Sequence, residues 1–571
     1  MKKGQEKMEI SVQIKKEIRS EKQLAVMVQG KLSGEVDQLT KVRLTAIFSD
    51  GEMNRRIPIP TELLKEEKEC YFSGNGEISL KDVFLYGTKA EEVTVTIEAE
   101  YLGERVRFDE KAFVLDGRLF YKQPRKYGFG YSFYKAVLAI GSVCWLPVML
   151  IDGYVAGKGY KELELNGKRA SGKKAIIFHA NNKIKAFTGF SFSVREHKTN
   201  YFEKCYRKYA KKPCKKNQIL FLSERRVEPN GNLDLIRADL KSRGKFEIVE
   251  CLTEKTIDKM SRKEIRQTAK QAAVSKLIIL EDFYPQLHAL DLRKETKVVQ
   301  LWHACGAFKT FGFSRLGKPG GPAQDSRNHR SYDYSFVSGN AMEDIYSEAF
   351  AIPTKNVKAL GVPRTDIFFD KGYQADVKQK LYEKYPQLKD KKVVLFAPTF
   401  RGDGNKDAHY PKERFSVDAF MENVPDDYLL IVKHHPFVKQ PFSFSEKYSD
   451  RVLDFSQGEQ INDLLFLTDV LVTDYSSSIF EAALLDIPMV FYVFDKQIYM
   501  QERDIYSDFE SFVPGEMVME EQELSGAVAR AANGTGESPE RMEQFKSYFL
   551  DALDGNSTKR IGEFLAGIME S

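Results

Sequence analysis

"TDVLVTDYSSSIFEAALLDIPMVFY", residues 468–492, reads as an apolar strand, a polar turn, a helix and a second apolar strand. Asp474 and three serines, Ser476, Ser477 and Ser478, stand where the first strand ends. A helix start offers backbone N–H groups without intrahelical partners and the positive end of the helix dipole, so this turn suits a phosphate. The same residue types also cap helices that bind nothing. Glu481 lies one helical turn beyond Ser477. It suits the two hydroxyls of a ribose, as acids in nucleotide-binding α/β domains do, and equally an ordinary ion pair.

The same rhythm extends outward. Short apolar runs separated by helical lengths form a first series: "AIIFHA" (175–180), "QILFLS" (218–223), "FEIVECL" (246–252), "KLIILED" (276–282) and "KVVQLWHA" (297–304). A second series comprises "VVLFAPTF" (393–400), "YLLIVKHHP" (428–436), "DVLVTDYSSS" (469–478) and "PMVFYVFD" (488–495). Strands of this kind imply parallel sheets covered on both faces. Two doubly wound domains are expected, at 176–359 and 360–571, with ligands in the cleft at the carboxyl ends of the strands. Ahead of them, "MEISVQI", "KVRLTAIF", "EVTVTIEAEYL" and "RVRFDEKAFVL" alternate apolar and polar residues, and "SDG" (49–51) marks a hairpin. Residues 1–116 therefore read as a small β-sandwich, and 117–175 as a connector.

Composition fits a globular chain of 571 residues: 42% hydrophobic, 30% charged and 12% aromatic. A net charge of only +5 gives no global nucleic-acid signature. Basic residues cluster at 157–174 and 201–216, which suits an anionic membrane surface or a solvated face. Six cysteines without a CxxC pair imply a reduced, intracellular protein. The apolar run at 136–151 is shorter than the ~20 residues needed to cross a bilayer. Its aromatic flanks suit a peripheral anchor; a buried element is the other reading.

The strand ends carry the polar chemistry. In the second series they present Thr399 and Arg401, then Lys433, His434 and His435, then Asp474 and the serines. Adjacent strand residues point to opposite faces, so one of the two histidines looks into a given cleft. In the first series Trp302 and His303 stand at a strand tip before Gly306, Lys309 and a glycine-rich loop. His329 and Arg330 follow, read either as acceptor contacts or as structural and solvated residues.

Taken in order, "LWHACGAFK", "GVPRTDIFF", "VLFAPTFRGDG", "IVKHHPF", "LVTDYSSSIFEAALLDIPMVFY" and "RDIYSDFESFVPGE" resemble the CDP-glycerol glycerophosphotransferase family, the teichoic acid primases and polymerases. The resemblance covers about residues 180–560. It implies a GT-B-like tandem of Rossmann-type domains, with the CDP-alcohol held by the C-terminal one. A polyprenyl-diphosphate-linked or polymer acceptor would face the N-terminal one. The family's two essential histidines fall on His303 and His435, its donor hydroxyls on Ser476 and Ser477, and its helix acid on Glu481. Thr399 and Arg401 match the loop facing the diphosphate, and Trp302, Lys309 and Arg330 fall on the acceptor side. Many relatives read Trp-His-Gly-Thr-Pro where this chain has Trp302-His303-Ala304-Cys305-Gly306.

The expected reaction is glycerol phosphate transfer from CDP-glycerol at the cytoplasmic face of the membrane. CDP-ribitol transfer, a GT-B glycosyltransferase using a nucleotide sugar, and a non-catalytic binding protein are the alternatives. The departing CMP phosphate has a second pKa of about 6 and needs little protonation. The attacking alcohol does need a base, so His303 is the expected base and His435 a donor to the phosphoryl oxygens or the leaving group. No acidic pair stands out at these strand ends. No tightly bound metal is expected, which leaves room for Mg²⁺ carried loosely by the nucleotide. Oligomeric state is left open.

Overall fold

The computed structural model describes residues 9–120, 163–165, 168–170 and 193–571, apart from short segments at 21–22, 34–41, 67–68, 81–82, 84–90, 102–103, 229–230, 319–320, 324–325, 403–406, 441, 503–504, 507–508 and 537–538. The apolar run 136–151, most of the basic stretch 157–174 and the strand expected at 175–180 lie outside the described residues.

The N-terminal alternation produces two antiparallel sheets. Glu9–Ser20, Gln23–Ser33, Glu69–Ser79 and Thr61–Glu66 form one in that order; Asn54–Ile59, Val42–Ser49, Glu92–Tyr101 and Glu104–Arg107 form the other, with Phe113–Asp116 also paired to Glu92–Tyr101. Val26, Val28 and Phe72 from the first meet Leu44, Phe48 and Ile97 from the second in one apolar core. The hairpin at 49–51 forms as its sequence implies. Gly51 takes φ +89°, and the Asp50 carboxylate accepts from the N–H groups of Glu52 and Met53 at 3.0 and 2.8 Å.

Two six-stranded parallel sheets follow. The first has the order Glu247–Leu252, Lys215–Ser223, Ser275–Leu280, Lys297–Gln300, Tyr334–Phe336, Val357–Lys358. The second has the order Val452–Asp454, Tyr428–Val432, Lys392–Phe396, Val470–Thr473, Met489–Tyr492, Gly515–Val518. Alternation explains the double burial. Leu395, Ile431 and Leu471 feed one apolar cluster, while Val394, Leu430 and Val470 feed another on the opposite face. The first of these clusters is continuous with Ile278 and Val298 of the first sheet, so both halves share a core.

The strands stay parallel, and the order of their connection reverses at one point in each sheet. In the second sheet the switch falls between Lys392–Phe396 and Val470–Thr473; in the first it falls between Lys215–Ser223 and Ser275–Leu280. Ligands of such sheets bind in the crevice there. The final helix, Ser557–Glu570, does not stay with the second half. It lays Ile561, Leu565 and Met569 on Ile219, Phe221 and Leu277 of the first sheet. Its apolar stripe recurs at i, i+4 and i+8, and that sheet face has to be covered.

No described helix is long and apolar enough to cross a membrane. Cys70, Cys205, Cys214, Cys251 and Cys305 are free thiols. The basic run 201–216 lies on the helix Val194–Tyr209 and the segment after it. Phe202, Cys205 and Tyr206 face the core, and Lys204, Arg207, Lys208, Lys211 and Lys212 are exposed.

Candidate functional site

At the switch point of the second sheet, the segments after Phe396 and Thr473 leave neighbouring strands and meet. Asp474, 1% exposed, accepts from the backbone N–H groups of Thr399 at 2.7 Å and Tyr475 at 2.6 Å, and from Arg401 at 2.9 Å. Arg401 also donates to both oxygens of Asp495, at 2.6 and 2.9 Å, and to the Thr399 carbonyl at 2.7 Å. Burial works against its charge, but Asp474 and Asp495 hold its pKa above the ordinary arginine value. Arg401 and Asp474, both expected on the donor side, are thus paired with each other, and Arg401 with Asp495 as well. A guanidinium this enclosed needs carboxylates around it, and the pair ties the Thr399 loop to the serine turn.

What remains open to a ligand is smaller. The Thr399 hydroxyl is buried with no hydrogen-bond partner. Ser477 is exposed, while Ser476 Oγ lies 2.9 Å from Ser478 Oγ and accepts the Ser478 N–H at 3.3 Å. Glu481 differs from its expected role. It is 4% exposed and ion-paired at 2.5 Å with Arg364, whose buried guanidinium requires a counter-charge.

The adjacent histidines part as strand geometry demands. His434 is 3% exposed and stacks on Phe442 with ring centroids 4.6 Å apart; desolvation pushes its pKa down to about 4. His435 turns the other way, against Phe400 and Phe437. Its Nδ1 accepts the Phe437 N–H at 3.2 Å, so the neutral ring carries its proton on Nε2 as an outward donor. Desolvation first, and then the charge of Lys309, keep it below the ordinary histidine pKa.

The first sheet holds a pair of acids that the sequence reading passed over. Glu281 and Asp282 follow Ser275–Leu280 directly, at the switch point. Arg226 spans them, 2.5 Å from Glu281 and 2.8 Å from Asp282. Burial raises the Glu281 pKa to about 7 despite Arg226. Beside them, His303 Nδ1 lies 3.7 Å from Asp282, with the side chain 49% exposed. That separation is longer than a hydrogen bond, and such contacts tighten when substrate binds. Desolvation lowers the His303 pKa, and Asp282 opposes the shift. The ring also bonds the Glu281 backbone, and with Nδ1 towards the Asp282 carboxylate Nε2 is the nitrogen left to act as a base.

Trp302 takes φ +57°, a strained angle for so large a residue, and its backbone is pinned on both sides. Its N–H donates to Gln300 at 2.9 Å, and its carbonyl accepts from Asn232 at 2.8 Å. Asn232 also accepts the Arg364 N–H at 2.8 Å, so a polar chain links Trp302 to Arg364 and on to Glu481. Asn232 and Arg226 carry no motif signal; Arg364 lies within "GVPRTDIFF", and the acids of "KLIILED" stand at a strand end.

The loop after His303 is fastened to the second half. A Cβ on Gly306, at φ +63°, would lie 2.4 Å from the Phe480 ring, so only glycine permits this approach. Lys309 forms a β-bridge with Ile505, and Tyr506 donates its N–H to the Phe308 carbonyl at 3.0 Å. Lys309 Nζ lies 5.5 Å from the Tyr499 ring centre and acts on His435. It is expected on the acceptor side; the bridge to Ile505 fastens it to the second half. Arg330 sits 4.7 Å over Phe313, and His329 is buried among Phe283, His288 and Tyr332 with its pKa pushed down to about 3 by desolvation. Among the described residues no group of three or more His, Cys, Asp or Glu is placed to hold a metal ion.

A sequence model of the family described as CDP-Glycerol:Poly(glycerophosphate) glycerophosphotransferase matches residues 185–567. The chain is 42% identical over 369 residues to the teichoic acid poly(ribitol-phosphate) polymerase of Bacillus spizizenii, covering 64% of this chain and 59% of that one. It is 37% identical over 357 residues to the teichoic acid ribitol-phosphate polymerase TarL of Staphylococcus aureus, covering 62% and 63%. The chain thus spans less than two thirds of the length of these two relatives. Glycerol-phosphate enzymes of Bacillus and Staphylococcus match at 28–33% identity. A solved structure of the wall teichoic acid polymerase TagF aligns with a TM-score of 0.54 at 18% identity, over 66% of this chain and 99% of that one. At that identity the likeness concerns the α/β fold.

Proposed function

The chain belongs to the CDP-glycerol:poly(glycerophosphate) glycerophosphotransferase family, and from that premise we propose that it transfers a polyol phosphate from a CDP-alcohol to an acceptor hydroxyl, releasing CMP. The two parallel sheets are read as a GT-B-like pair of Rossmann domains, and the two antiparallel sheets as a β-sandwich. The observation that carries the reading is His303 backed by Asp282 on a loop fastened to the half that bears His435.

In this step the acceptor O–H gives its proton to His303 Nε2 as its oxygen attacks the phosphorus that bears the polyol. The bond from that phosphorus to the CMP oxygen breaks, and CMP leaves with the electron pair. His435 donates its Nε2–H to the phosphoryl oxygens, and Thr399, Ser476 and Ser477 supply the hydroxyls around the diphosphate. No bound metal is given a role; any Mg²⁺ arrives with the nucleotide. The acceptor is a polyprenyl-diphosphate-linked or polymer chain, reached with the protein peripheral to the cytoplasmic face. The exposed cations of 204–212 support that placement.

Ribitol, rather than the glycerol expected from the motifs, is the proposed donor alcohol, since the ribitol-phosphate relatives match at 37–42% identity against 28–33% for glycerol-phosphate ones. Measured CMP release should favour CDP-ribitol over CDP-glycerol by about tenfold or more in kcat/KM, the range a site gains by pairing substrate hydroxyls. Preference for CDP-glycerol would return the assignment to glycerol phosphate. Turnover of nucleotide sugars alone would make the chain a glycosyltransferase.

Asp282 is a positioning residue in this scheme. Asp282→Asn should lower kcat by about ten- to a hundredfold, part of what a general base supplies, with donor KM nearly unchanged. The carboxylate raises the His303 pKa, so its loss should also move the acid limb of the pH–rate profile to lower pH. An unmoved profile would leave Asp282 with a structural role only.

A further inference from the structure

Along Val42–Ser49, the residues Val42, Leu44 and Ala46 enter the N-terminal core. Arg43 and Thr45 therefore stand on the outer face, opposite Glu100 and Glu98 of the next strand. This face meets the loop that follows His303 around a cavity of about 520 Å³, within the 300–1,000 Å³ usual for ligand sites. Thr310, Ser314 and Lys318 of that loop line it together with Tyr506.

Part of the charge at this contact docks the domains: Arg55 and Glu348 form a buried pair at 2.5 Å, and Arg56 and Arg107 reach Asp344 at 3.4 and 3.2 Å. Around Glu98 three guanidinia converge, Arg56 at 2.8 Å, Arg107 at 2.9 Å and Arg105 at 4.0 Å, with Arg105 also 3.0 Å from Glu100. Burial alone would raise the Glu98 pKa, and these cations bring it below its ordinary value. Of the residues lining the cavity, Arg43, Arg55, Arg56, Arg105 and Lys318 outnumber Glu98, Glu100 and Glu348. Arg56 Nε is buried with no hydrogen-bond partner. A lining with more cations than carboxylates, set beside hydroxyls, matches a ligand that alternates phosphate with polyol.

The loop that lines the cavity is packed against the reaction centre. Phe311, next to Thr310, stacks on Trp302 with centroids 5.2 Å apart, and the Trp302 ring lies 4.5 Å from that of His303. We propose that this cavity holds the preceding units of an anionic polyol-phosphate acceptor chain while its terminal hydroxyl reaches His303. The N-terminal sheets then form an acceptor subsite. The inference rests on polyol-phosphate transfer as the activity.

The test is fluorescence anisotropy of the full chain with a labelled poly(ribitol phosphate) oligomer of about six units, a readout that needs no turnover. Arg43→Glu and Lys318→Glu should each weaken binding about tenfold or more, the loss of one charge-assisted contact compounded by repulsion. Lys355→Ala, which breaks the pair with Glu52 at the same domain contact but outside the cavity lining, should bind as the unaltered chain does. Lys318 is exposed, so its variant reports even where Arg43→Glu misfolds. Unchanged binding in Lys318→Glu, or equal competition by an uncharged polyol, would overturn the subsite. Absence of CMP release from either CDP-alcohol by the unaltered chain would instead overturn the activity, and the anisotropy result would stand apart from it.

Discussion

His303→Ala should lower kcat by about 10²–10⁴-fold, the share a positioned general base supplies, while CDP-ribitol binding stays within about threefold. The two halves of that expectation come from different walls of the cleft. The alcohol needs its proton removed, and the exposed imidazole beside Asp282 is placed to remove it. In the proposed scheme the donor is held by groups on the second sheet, which the substitution does not touch. The pH profile follows from the sign of the shift: desolvation lowers the His303 pKa below the ordinary histidine value. The base is neutral above that pKa, so kcat should rise with pH through a value under 6.5 and then level off. His435 is lowered too, and its Nε2–H persists in the neutral ring, so donation survives at high pH. Single-turnover rates with equilibrium donor binding separate the two effects. Loss of CDP-ribitol affinity with a preserved chemical step would move His303 to the donor wall.

The parallel sheets were legible because Val470–Thr473 and its neighbours are apolar on both faces and short, a pattern that amphipathic helices do not show. The hairpin at Gly51 was legible because Asp-Gly between two alternating strands is a strong turn signal, and the loop that forms is Asp50–Met53. Two features escaped. Ser557–Glu570 crosses back to the first sheet, and nothing in an apolar stripe states which sheet it covers. The residues behind the site, Arg226, Asn232 and Arg364, act through partners far away in sequence, so no local spacing betrays them. Glu281 and Asp282 are different: the strand-end rule that picked out His303 and Asp474 applied to them equally. Their turn, ending in Phe283-Tyr284-Pro285, has no glycine or serine to set it apart. His434 and His435 show what strand alternation settles, with one ring in a core and its neighbour out of it.

Arg401→Met should cost about 3–5 kcal/mol in the second α/β half, because it strands Asp474 and Asp495 without their cation. In a domain of roughly 200 residues that corresponds to a fall in Tm of about 6 °C or more. A residue whose work was gripping the diphosphate would give the opposite pattern, with raised donor KM and unaltered melting. Arg401 donates to three oxygens of two carboxylates and to a carbonyl, and its guanidinium lies 5.1–5.4 Å from the ring centres of Tyr475, Phe494 and Tyr499. Lysine cannot reproduce that fork, so Arg401→Lys should recover only part of the loss. Adding Asp474→Asn to Arg401→Met removes one of the uncompensated charges and should restore stability relative to the single variant. Such a non-additive cycle is the signature of a coupled pair. Donor binding in the doubly altered chain then reads the Thr399 loop by itself, since Asp474 holds that loop through the Thr399 N–H. Simple additivity, with melting unchanged in Arg401→Met, would return Arg401 to the phosphate.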